Sequence, residues 1–217
     1  MIDNIINYLD SLFPDPKCEL NYTKDYELLI SVMLSAQTTD KRVNEVTSVL
    51  YKKYDTLEKL ASANILDIID IIRPIGTFYK KSSNVIAIAK RLISDCDGKV
   101  INDRAYLESL PGVGRKTVNV VLANLFDESV IAVDTHVARV SKRLKLAYNN
   151  DDVLTIEKKL NKKFPKESLA RLHHQLVLFG RYYCKAQNPK CNNCLIKDIC
   201  RYYKNNQRRW LNEILYS

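Results

Sequence analysis

A chain whose middle reads LPGVGRKTVNVVLANLFDESVIAVDTHV, from Leu110 to Val137, has few ways to fold. Gly112 and Gly114 flank a single valine, and that spacing demands a turn, because glycine reaches backbone conformations that other residues avoid. Asp103 can cap a short helix ending near Leu110, and a second helix starts at about Arg115, so the stretch has the form of a helix–hairpin–helix. The free N–H groups at the start of that second helix, the bare glycines and the positive end of the helix dipole together make a cradle for an anion, most simply a phosphate. Gly112, Val113, Gly114 and Arg115 are its candidate contacts.

Lys116 stands in the first turn of the second helix. A lysine beside a helix N-terminus and partly desolvated holds its proton less tightly, and its neutral amine is a nucleophile. Asp134 precedes an apolar helix marked by Val137, Val140 and Leu144; its carboxylate can cap that helix through Thr135 or His136 and also face Lys116. Each residue alone has a plainer reading, as an exposed phosphate-binding lysine and an ordinary N-cap aspartate.

Together, LPGVGRKTVNVV followed by IAVDTHVARV resembles the endonuclease III branch of the helix–hairpin–helix DNA glycosylases. The resemblance implies that Lys116 is a Schiff-base nucleophile and Asp134 its acidic partner. It extends to LLISVMLSAQTTDKRVN, and there implies that Gln37 enters the space left when a damaged base is extruded. At one position the sequence departs from the pattern: the residue after Ile75-Gly76, usually a bulky apolar wedge, is Thr77, which leaves Phe78 as the alternative wedge.

Composition agrees with a nucleic-acid partner. The 217 residues carry 34 Lys plus Arg against 25 acidic residues, a net charge of +9 with no acidic block. No apolar run reaches the ~18 residues of a membrane span, and the start MIDNIINYLD is not a signal peptide, so a cytoplasmic, nucleoid-associated protein is expected. Apolar spacing predicts helices throughout: Ile5 to Leu12, stopped by Pro14 and Pro16; Tyr26 to Leu34, apolar all round and hence a core helix; one capped by Thr39 or Asp40; and one capped by Asn64 and ended by Pro74. Gly76 to Lys81 reads as a turn before a helix over Ser82 to Ser94, its lysines and aromatics suited to phosphate contact and base stacking, with Lys81 a candidate contact. Helices follow over Val137 to Leu146, Val153 to Phe164 and Leu169 to Tyr183. His173 and His174 are neighbours on the last and read as packing or surface residues rather than metal ligands.

Cys184, Cys191, Cys194 and Cys200 follow C-x6-C-x2-C-x5-C. Four thiolates in so short a segment require a cation, which the residues alone leave open between tetrahedral zinc and an iron–sulfur cluster. The resemblance implies a [4Fe–4S] cluster. Lys185, Lys190, Lys197 and Arg201 surround the ligands and read as phosphate grips on the loop it keeps rigid. Cys18 and Cys96 read as packing residues. The tail RRWLNEILYS places Trp210, Leu211, Ile214 and Leu215 at helical spacing and reads as docking on its own domain.

The resulting expectation is an all-α, two-lobed helix–hairpin–helix glycosylase fold. A six-helix domain spans residues 19–130, and a [4Fe–4S] cluster domain is formed by 1–18 with 131–217. What the resemblance implies is a monomeric bifunctional DNA glycosylase and abasic-site lyase, acting on double-stranded DNA that carries oxidised pyrimidines or abasic sites. A monofunctional glycosylase of the same fold and a non-catalytic DNA-binding or redox-sensing module are the alternatives.

Overall fold

The structure, a computed structural model, describes residues 1–207. The C-terminal segment around Trp210 lies outside the described residues. Among those described, all regular structure is helical, and the chain divides into a continuous unit, Cys18–Asp127, and a split unit, Met1–Lys17 with the residues from Glu128 onward.

The first helix, α1 (Ile2–Leu12), belongs to the split unit. In the continuous unit, α2 (Asp25–Leu34) is buried along its whole length after Asp25, as its unbroken apolar run requires. Leu28, Leu29, Ile30 and Leu34 are sealed from solvent, each contributing about 1.5–3 kcal/mol. Around α2 pack α3 (Asp40–Lys53), α6 (Phe78–Cys96) and α8 (Arg115–Leu125), while α4 (Leu57–Ala61) and α5 (Ile65–Ile72) lie against α6 and α7 (Arg104–Glu108) against α8. Local chemistry fixes several starts: Thr39, Asn64 and Asp103 accept hydrogen bonds from the N–H groups of Arg42, Leu66 and Tyr106 at 3.3, 2.9 and 3.0 Å.

One boundary differs from expectation. The long α6 begins at Phe78 rather than Ser82, so Phe78, Tyr79, Lys80 and Lys81 form its first turn and only Gly76-Thr77 bends. Thr77 lies in the left-handed region (φ 56°), which ends the preceding turn and lets the helix propagate at once without a side-chain cap. Ser82, read as the opening residue, instead donates to the Phe78 carbonyl at 2.8 Å.

In the split unit, α1 packs on α11 (Leu169–Tyr182), joined there by α9 (Thr135–Arg143), and α10 (Val153–Lys163) lies against α9. Ile5, Leu9, Val137, Val140, Leu160, Leu176 and Phe179 form its core. Asp10 fastens α1 to α11, accepting from Arg171 Nε at 2.9 Å and Gln175 Nε2 at 2.8 Å.

Candidate active site and nucleic-acid interface

The hairpin between α7 and α8 is built as its glycines require. Gly112 has φ +76°, and an added Cβ there would meet Asn84 Nδ2 at 2.3 Å, so the turn is seated closely on α6. Gly114 is the N-cap of α8 and offers no side chain to its first turn; Arg115 and Lys116 are exposed there. This is the arrangement in which helix N–H groups and the dipole attract an anion. Val113 lies inside the turn. Its side chain is buried and its N–H donates to the Leu110 carbonyl at 3.1 Å, so it braces the turn. Lys116 is thus exposed rather than partly buried as expected.

In the split unit, Asp134 caps α9, its Oδ1 accepting from Val137 N at 2.8 Å, one residue beyond the Thr135 or His136 expected. The start of α9 is held against α11 by Gly180, where an added Cβ would come within 2.8 Å of His136 Cβ and 3.2 Å of its Cα. Arg139 strengthens that crossing, donating to the Gly180 carbonyl at 2.7 Å and the Cys184 carbonyl at 3.1 Å. Neither Gly180 nor Arg139 was marked by the sequence reading; a lone glycine inside a helical pattern was the available signal. His173, as a packing residue, is buried with Nδ1 2.9 Å from the Ala132 carbonyl.

The junction between α2 and α3 exposes Gln37 at φ 57°. Thr77 is exposed, Phe78 is half-buried with its ring 4.4 Å from that of Tyr79, and Tyr79 is 68% exposed, which makes it the most open aromatic of this turn. Lys81, expected on the surface, is buried. Its ammonium donates to the Ala36 carbonyl at 2.8 Å and Thr38 Oγ1 at 3.3 Å, and burial draws its pKa below the ordinary lysine value. Its four-carbon stem is long enough to reach the neighbouring junction.

Cys184, Cys191, Cys194 and Cys200 are free thiols that line one pocket, together with Tyr8, Phe179 and Tyr183. Among the described residues no group of three or more His, Cys, Asp or Glu side chains is placed to hold a metal ion. Burial pushes the Cys184, Cys191 and Cys194 thiols up, and neighbouring thiols add to the rise. Arg143 opposes it at Cys184, donating to Sγ at 3.3 Å. Lys185 and Lys190 are exposed on the same loop, the latter's ammonium 4.9 Å from the Tyr183 ring centroid.

Comparison with known proteins gives this arrangement a class. Residues 30–166 match the family model of HhH-GPD superfamily base excision DNA repair proteins, and the fold is the all-α fold of HhH-GPD glycosylases. The chain is 44% identical over 200 residues to the endonuclease III of Bacillus subtilis (strain 168), covering 92% of this chain and 91% of that protein. It superposes on a solved endonuclease III–DNA covalent intermediate, trapped as an estranged-adenine complex, with TM-score 0.90 and 44% identity over 95% of this chain and 97% of that one. A non-covalent endonuclease III–DNA complex gives TM-score 0.91 with the same identity and coverage. The chain belongs to the endonuclease III family. Its activity is that of a bifunctional DNA glycosylase and abasic-site lyase.

Proposed function

We propose that the substrates are oxidised or ring-saturated pyrimidines in duplex DNA, thymine glycol among them, and that Lys116 and Asp134 carry out the chemistry. The observation that carries this reading is the exposed Lys116 amine in the first turn of α8, behind a glycine hairpin whose helix N-terminus has no side-chain cap. A phosphate seated on that N-terminus brings the strand to the amine. The damaged nucleotide leaves the stack at a cost of a few kcal/mol, reduced where the base stacks poorly, while Gln37 and the Thr77–Phe78 bend occupy the gap.

Lys116 Nζ, once neutral, attacks C1′; the C1′–N bond breaks and the base departs with a proton. The C1′–O4′ bond then breaks as O4′ takes a proton from water, opening the ring to an iminium between Nζ and C1′. Loss of a C2′ proton then expels the 3′-phosphate by β-elimination, nicking the strand 3′ to the lost base, and water releases the amine. Asp134 stabilises the positive charge that grows on the sugar and accepts the proton that Lys116 gives up. Gly112, Gly114 and Arg115 hold phosphate beside the amine, with Lys185 and Lys190 gripping the backbone from the cysteine loop.

The cysteine pocket fits a [4Fe–4S] group. The donor set is four thiolates lining one pocket, the ligands such a group would take. The endonuclease III family commonly carries this cluster, which favours it over zinc on the same four ligands. Bound there, the cluster would give the Lys185–Lys190 loop a rigid frame. On this reading residues 19–130 are the hairpin-bearing domain and 1–18 with 131–217 the cluster domain of a monomer.

Incubation with duplexes carrying a single thymine glycol, a single abasic site or no damage tests the substrate assignment. Base release and a nick 3′ to thymine glycol, with the undamaged duplex intact, are expected. Cleavage of the abasic duplex with thymine glycol untouched would overturn it.

A further inference from the structure

Two exposed bends of the continuous unit, at Gln37 and Thr77, hold non-glycine residues in the left-handed region, at φ 57° and 56°. Such conformations are strained and persist only where the surroundings enforce them. Lys81 touches both. Its backbone N–H donates to the Thr77 carbonyl at 3.0 Å, and its ammonium donates to the oxygens that flank Gln37, Ala36 O at 2.8 Å and Thr38 Oγ1 at 3.3 Å.

Lysine is among the residues least often fully buried, yet Lys81 is 5% exposed. Burying a charge is costly unless its bonds are needed, and an apolar chain of the same length would fill the space without that cost. What the ammonium adds is a grip on the residues either side of Gln37. We infer that Lys81 is a positioning residue, which locks the Ala36–Thr38 junction to the first turn of α6 so that Gln37 and the Thr77–Phe78 bend enter the duplex in fixed register. The inference rests on the gap-filling reading of Gln37 given above.

Its test compares Lys81→Met, Lys81→Arg, Gln37→Ala and the double variant Gln37→Ala/Lys81→Met, with melting curves to verify folding. Each is assayed for base release from a thymine glycol duplex and for cleavage of a single-stranded abasic oligonucleotide, in which no gap needs filling. The ratio of the two rates should fall at least about tenfold in Lys81→Met, since small misplacements of positioned groups cost that much or more. It should recover in part in Lys81→Arg, which restores a cationic donor, and the double variant should be no worse than Gln37→Ala alone. Lys81→Gln replaces the methionine variant should the latter not fold. A wild-type ratio in Lys81→Met beside a lowered one in Gln37→Ala overturns the inference, as do single effects that multiply in the double variant. A wild-type ratio in Gln37→Ala removes the reading of Gln37 and the inference with it.

Discussion

At the scale of single residues, the side chains that matter are separated by what their surroundings ask of them. Lys116 is exposed and Lys81 buried, although both are lysines in the first turn of a helix. The difference is one of reach: Lys81 finds oxygens in the α2–α3 junction, whereas Lys116 faces solvent. A titrating residue of the split unit gives a measurable consequence. Burial lowers the His174 pKa, so the folded chain keeps this imidazole neutral where the unfolded chain takes up a proton. The sign follows directly: stability is full above the unfolded value of about 6.5 and is lost as pH falls through it toward the lower folded value. The melting temperature should drop between about pH 7.5 and 5.5, and His174→Gln should flatten part of the drop; an identical drop in the variant would show that another group is responsible.

Among the elements, two close approaches set the site. Gly112 at φ +76° lets the hairpin sit on Asn84, so Gly112→Ala adds both backbone strain and a 2.3 Å clash, a loss of about 1–3 kcal/mol that thermal melting would detect together with weaker DNA binding. Gly180→Ala forces α9 and α11 apart beneath Asp134, and a similar loss of about 1–3 kcal/mol is expected, with base release falling more than the melting temperature alone explains. Unchanged melting in either variant would mean the neighbouring element gives way freely. These elements also show where the sequence can be read and where it cannot. Asp103, Thr39, Asn64 and Asp134 are legible as caps because a cap is a bond across two or three residues. The buried face of α2 is legible because its apolar run is uninterrupted. The start of α6 is not, since nothing local marks Thr77 as left-handed, and the destination of Lys81 is not, since Ala36 lies 45 residues away. The inward turn of the Val113 N–H is likewise set by the closed hairpin rather than by residue type.

For the whole molecule, a base-excision chemistry on a helical scaffold accounts for the sequence, the fold and the family together. The cysteine loop adds a stoichiometric expectation: purified protein should carry about four irons per chain and absorb in the visible, and Cys200→Ser should lose iron and melt earlier. A colourless protein holding one zinc would contradict the cluster assignment. The chemistry itself stands or falls with Lys116. Borohydride reduces an imine between a lysine and an opened sugar to a permanent bond, so trapping on a thymine glycol duplex, wild type beside Lys116→Gln, reads the central step directly. A covalent protein–DNA adduct with the wild type that is absent from Lys116→Gln is the result expected; base release by the wild type with no adduct, or an adduct that survives in Lys116→Gln, would contradict the account.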